Sequence, residues 1–112
     1  MDIQPELHIT SETTFHPAIR SWEIFLLDQG RSLHTVKAFL GDMRLFANDF
    51  PSGTTIGSIT TDDINRFLGW LQHERHVPCS AKSLSRRITS TKSFFRWLSR
   101  SGRIPSDPAE KV

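Results

Sequence analysis

Tyrosine is absent from this 112-residue chain, so no mechanism with a tyrosine nucleophile or acid can operate within these residues. Cysteine is nearly absent as well. Cys79 stands alone, which excludes an internal disulfide and a cysteine-based zinc site. No apolar run is longer than a few residues, so no segment is expected to span a membrane. Met1 to Glu12 is polar and acidic, without the positive and apolar regions of a signal peptide, and the expected location is by default the cytoplasm. The last absence is local: no acidic residue occurs between Arg75 and Ser106.

That stretch holds eight cations: Arg75, Lys82, Arg86, Arg87, Lys92, Arg96, Arg100 and Arg103. Residues 1–74 lean the other way, with five basic residues against ten acids. The formal net charge of +2 therefore conceals a dipolar chain with one strongly positive segment, which is the electrostatic footprint of a polyanion partner. Length and a 37% apolar content with eight Phe and three Trp fit one globular domain with a single core.

Apolar residues recur at helical spacing almost throughout, and no stretch alternates with period two, so the fold class is all-α with four main helices. The first helix is expected from about His16 to Gln29, with Pro17 in its first turn, Trp22, Phe25, Leu26 and Gln29 on one side, and Gly30 just past its end. Ser32 caps a second helix from Leu33 to about Asp49, whose core stripe reads Leu33, Val36, Leu40, Met43, Ala47 and Phe50. Pro51 to Ser58 is read as a loop. Thr60 opens a third helix running to about Glu74, with Asp62 and Asp63 at the positive end of its dipole. After a short link, Arg75 to Cys79, Ser80 caps a fourth helix from Ala81 to about Ser101 that Gly102 ends. Residues 1–13 are expected to form a flexible tail, 14–104 the helical domain, and 105–112 the start of a linker, because each proline there disfavours helix before it.

On the fourth helix Leu84, Ile88, Thr91, Phe95 and Leu98 form one narrow stripe and are read as core. Lys82, Arg86, Thr89, Ser93, Arg96 and Arg100 lie opposite, with Ser85, Ser90 and Trp97 on the flanks. Long cations reach phosphates, Arg can also bind a guanine edge, and small hydroxyls let a helix approach a groove closely. An ordinary solvated helix would mix charges to gain i,i+4 pairs. It would also avoid Ser and Thr, yet seven of the residues from Ser83 to Ser99 are Ser or Thr. The candidate contacts on this helix are Lys82, Ser83, Arg86, Arg87, Ser90, Lys92, Ser93 and Arg96. Arg31, Ser32, His34, Thr35 and Lys37 offer a smaller second patch, in which Ser32 is also a plain helix cap.

Taken in order, these residues resemble the core-binding (N-terminal, SAM-like) domain of tyrosine recombinases and phage-type integrases, from about Trp22 to Ala109. In the second helix the pattern is carried by Ser32, Thr35, Val36, Phe39, Asp42, Met43 and Phe46. The third helix contributes Ile59, Thr60, Asp63, Ile64, Phe67 and Leu68, and the fourth Ser80, Arg87, Phe94, Phe95, Trp97 and Leu98. Gly102, Ile104 and Pro108 close it. Phe39 stands where the family often has Tyr, and Lys92 where it often has Arg. The resemblance implies a four-helix module forming half of a clamp on double-stranded DNA, with the second and fourth helices toward the major groove. It also implies a C-terminal catalytic domain, absent from these residues, that carries the tyrosine nucleophile. A tetramer on DNA is implied for the full-length protein, and a monomer is expected for the domain alone.

Other chemistry finds little support. Of the five histidines (His8, His16, His34, His73, His76) only His73 and His76 are close in sequence, and surface positions explain them. No Gly-rich phosphate loop and no nucleophile elbow occur, so no catalytic residue, cofactor or metal is expected. One rival reading is a helical protein–protein module that associates through its acidic and basic faces. RNA is a further alternative, kept open by Trp97 at the edge of the basic face.

Overall fold

A computed structural model of the chain describes residues 8–74 and 79–112. Four α-helices follow one another: α1 (Phe15–Asp28), α2 (Leu33–Asn48), α3 (Thr61–Gly69) and α4 (Ala81–Arg100). Among the described residues there is no β-strand, only an isolated bridge between Thr14 and Thr55.

The helix ends follow from local chemistry. The Ser32 hydroxyl accepts the Thr35 N–H at 3.1 Å, and the Ser80 hydroxyl accepts the Ser83 N–H at 3.1 Å. At Thr60 the cap is reciprocal. Its hydroxyl accepts the Asp63 N–H at 3.1 Å while its own N–H donates to the Asp63 carboxylate at 2.9 Å. Gly30 and Gly102 sit just beyond α1 and α4 with φ of 77° and 76°, a left-handed conformation that glycine adopts without strain.

α2 packs against both α1 and α4, and aromatic rings fill the space between them. Phe46 of α2 meets Phe15 of α1, Phe67 of α3 and Phe95 of α4 edge-on, with centroids 5.7, 5.0 and 5.9 Å away. Trp22 stacks on Phe39 at 5.9 Å and meets Phe94 edge-on at 5.2 Å. Edge-to-face rings at such distances add to the burial itself. The buried stripe of α2 is Val36, Phe39, Leu40, Met43 and Phe46, rotated from the expected one. Leu33 is 69% exposed, while Ala47 and Phe50 are only half-buried. On α4 Phe94 joins Thr91, Phe95 and Leu98 inside, and Leu84 and Ile88 lie at the edge of the core. Gln29, at the C-cap just past α1, faces solvent.

Four expectations about irregular segments need correction. Residues 8–13 are not a free tail, since Ile9 is buried in the core and the Ser11 and Thr13 carbonyls accept the Gly57 and Ile56 N–H groups. The segment read as a loop contains a 3₁₀ turn, Ile56–Ser58, that drives Ile56 fully inside. The third helix widens after Gly69 into a π-helical turn, Trp70–Glu74, the change falling at a poor helix former. Residues 105–112 do not leave the body. Ala109 is 1% exposed, and the Thr61 hydroxyl donates to the Pro108 carbonyl at 2.7 Å. Of the expected link, Arg75 to Pro78 lie outside the described residues.

Candidate nucleic-acid interface

The side of α4 turned away from the core carries Lys82, Ser85, Arg86, Thr89, Arg96 and Arg100, all exposed, with Lys92 and Ser93 half-buried beside them. Ser83, one turn from the start, is also half-buried, its N–H engaged by the Ser80 cap. Among the described residues Lys82, Lys92, Arg96 and Arg100 have no salt-bridge partner. Their charges are therefore available to a ligand.

Arg86 and Arg87 are differently placed, because the structure sets a buried carboxylate between α2 and α4. The Asp42 side chain is 3% exposed. Arg86 grips it with two donors, Nε to Oδ2 at 2.9 Å and Nη2 to Oδ1. Ser90 donates to Oδ2 at 2.7 Å. Arg87 Nε lies 3.4 Å from Oδ1, near enough to pair by charge but not aligned as a hydrogen bond, and its Nη1 donates to Cys79 Sγ at 3.0 Å. The hydrogen bond to Asp42, ahead of the opposing cost of burial, raises the Arg86 pKa above its ordinary value. Arg86 still keeps a side chain 42% exposed, whereas that of Arg87 is 16% exposed.

This arrangement corrects the reading of Ser90. It is fully buried and ties α4 to α2 instead of flanking the outer face. Thr91 returns its hydroxyl to the Arg87 carbonyl, and the Arg86 carbonyl 3.1 Å from the Ser90 hydroxyl is a second, competing acceptor for that single proton, so part of the Ser/Thr enrichment of α4 serves the helix itself. The hub was missed in the sequence, where Asp42 counted only as a position in a family pattern. A signal existed: Asp42 is the one acid among Phe39, Leu40, Met43 and Phe46, and an acid inside an apolar stripe requires a partner.

The second patch is divided. Ser32 and Thr35 bond each other, the Ser32 hydroxyl donating to Thr35 Oγ1 at 3.0 Å, so both hydroxyls serve the start of α2. His34 and Lys37 are exposed. The Arg31 guanidinium stands 5.9 Å over the Phe39 ring. Arg31 shares the wall of a shallow groove with Ser93 and Arg96 of α4, whereas Ser32, His34, Thr35 and Lys37 do not line it. Among the described residues no three His, Cys, Asp or Glu side chains gather where they could hold a metal ion, and no helix is long and apolar enough to cross a membrane. His76 lies outside the described residues.

Relatives place this geometry in a family. A family model described as the phage integrase N-terminal SAM-like domain matches residues 19–102. A tyrosine recombinase XerC of Mycobacterium sp. (strain KMS) is 35% identical over 89 residues, which are 77% of this chain and 29% of that protein. The XerC of Mycobacterium tuberculosis (strain ATCC 25177 / H37Ra) is 33% identical over 91 residues, 80% of this chain and 30% of that protein. The chain thus spans about three-tenths of the length of these relatives. No solved structure matches. The matched span covers most of the chain, and the chain belongs to the phage integrase N-terminal SAM-like domain family.

Proposed function

We propose that this domain binds duplex DNA through the outer face of α4, with the start of α2 as an accessory contact, as part of a site-specific recombinase. The observation that carries the reading is the row of cations Lys82, Lys92, Arg96 and Arg100, without a salt-bridge partner among the described residues, interleaved with the small side chains Ser85, Thr89 and Ser93 on the side away from the core. A B-form major groove admits one helix, and such side chains reach phosphates and base edges from it. Arg86, held by Asp42, offers only its remaining N–H groups, so it positions more than it neutralises. His34 and Lys37 would extend the contact to a neighbouring phosphate run. In this reading Ser32 and Thr35 support the helix end, and Ser83, Arg87 and Ser90 support α4.

Strand exchange belongs to a catalytic domain outside the matched region, with these residues supplying grip and no covalent chemistry. The name of the relatives, tyrosine recombinase, supports that division, as does the absence of any Tyr from the chain. Assembly as a tetramer on DNA belongs to that larger protein, and the isolated domain is monomeric.

The test is fluorescence anisotropy of a labelled random-sequence duplex at two salt concentrations. The wild type is compared with a Lys82→Glu/Arg96→Glu variant, which reverses two exposed cations that have no salt-bridge partner among the described residues. We expect salt-sensitive binding that the variant loses by more than about tenfold. Binding indifferent to the reversal would overturn the α4 assignment. No binding at low salt, together with salt-sensitive self-association in light scattering, would put association through the acidic and basic faces in its place.

A further inference from the structure

The C-terminal half of α4 and the outer side of α1 enclose a shallow groove of about 610 Å³, a size at which clefts hold ligands. Its floor is apolar. Phe25 and Trp97 stack there with centroids 5.8 Å apart, and Ile24 beside them is 46% exposed. Leu27, 43% exposed, continues the apolar edge along α1. Its rim is cationic: Arg31, Arg96, Arg100 and Arg103 against one acid, Asp28. Arg103 stands over the Trp97 ring at 5.0 Å, which keeps a guanidinium at the lip of the floor.

A DNA backbone satisfies the rim but offers the floor little, because the outer surface of a duplex is lined by phosphates and its major-groove apolar groups, the thymine methyls, lie on the base edges away from them. An uncharged apolar peptide satisfies the floor and leaves the rim without counter-charge. Both are matched by an amphipathic helix that has large apolar side chains on one face and carboxylates along its borders. We infer that this groove is a docking site for an acidic amphipathic helix of a partner protein, distinct from the DNA contact along the rest of α4. The inference goes beyond the DNA-binding reading and does not require it. Arg96 and Arg100 belong to both surfaces, so an occupied groove and a bound duplex compete.

The probe is a fluorescein-labelled peptide of about 15 residues built from Leu, Glu and Ala, with Leu at i, i+3, i+4 and i+7. Its control has the same composition with the apolar face scrambled. Each is titrated with the full chain by anisotropy. We expect saturable binding of the amphipathic peptide, about tenfold tighter than the control. Ile24→Glu, on α1 and outside the α4 row, should weaken the peptide at least about tenfold and the random duplex by far less, through its charge near Arg96 and Arg100 alone. Lys82→Glu should do the reverse. Circular dichroism of both variants confirms that they fold, and unlabelled duplex should displace the peptide. Equal affinity for the two peptides, or a peptide affinity untouched by Ile24→Glu, would overturn the inference. A loss of duplex affinity as large as that of the peptide with Ile24→Glu would also overturn it, by making the groove part of the nucleic-acid face. Failure of duplex binding alone would bear only on the DNA reading.

Discussion

Asp42 shows how one side chain can set a surface that it does not itself reach. Its carboxylate takes donors from Arg86 and Ser90 and lies beside Arg87, so two of the eight cations of the basic stretch are spent on holding α2 to α4. Removing it would strand the mostly buried Arg87 charge, whereas Arg86 could turn to water. Asp42→Ala is therefore expected to destabilise the fold by about 3 kcal/mol, the lower end for breaking a buried pair, as read by urea unfolding. Arg86→Glu should also destabilise, by setting two carboxylates together. For this reason Lys82 and Arg96 are the better positions at which to test a ligand. The pairing was only half legible: an acid in an apolar stripe was visible in the sequence, but which cations of α4 answered it was not. Three-dimensional register decides that, because Arg86, Arg87 and Ser90 are separated from Asp42 by more than forty positions.

The helices and their ends were the most legible elements, since a cap is a contact between residues three apart. The Thr60–Asp63 box illustrates this, although the sequence suggested only a dipole role for Asp63. The Thr60 backbone N–H, outweighing the effect of burial, holds the Asp63 carboxyl below its ordinary 3.8. A lowered pKa means that the folded state favours the ionised form. The stabilisation is complete above about pH 4 and is lost as pH falls through the depressed folded value. Asp63→Asn should thus cost stability at pH 7 and become nearly neutral toward pH 2, in urea titrations at the two pH values. Thr60→Ala should cost about 1 kcal/mol at neutral pH. The irregular segments were poorly legible because their order comes from distant partners. At Gly57 an added Cβ would lie 2.5 Å from Ser11 Cβ and 2.6 Å from the Ser11 carbonyl oxygen. Gly57→Ala should therefore push residues 8–13 off the body, seen as faster amide exchange at Ile56 and Gly57 and a lower melting temperature.

Across the molecule the charge is divided, with an acidic first half and a basic α4, and the paired cations narrow the basic part to a row. In the DNA reading each phosphate contact adds a logarithmic salt slope of about −0.9. Arg100→Ala is expected to make the slope shallower by about one such unit without unfolding the domain, measured as duplex affinity across a salt series. Arg87→Ala should affect stability far more than the slope, since that cation is already committed to Asp42 and Cys79.

The sequence by itself determined the helices, their caps and the family. The helices and caps depend on residues within a turn or two of one another, the family on the linear order of such short patterns, and the 3.6-residue period and three-residue cap spacing are written along the chain. It also determined that α4 would be positive, because charge is counted without geometry. Only the tertiary structure decided which of those charges remain free. Burial of Asp42 withdrew Arg86 and Arg87 from the row and drew Ser90 inside, and the docking of Ile9 and Ala109 turned two supposed loose ends into parts of the core. The physical reason is the same in each case. Whether a polar or apolar group meets water depends on what packs against it, and that neighbour is remote in sequence.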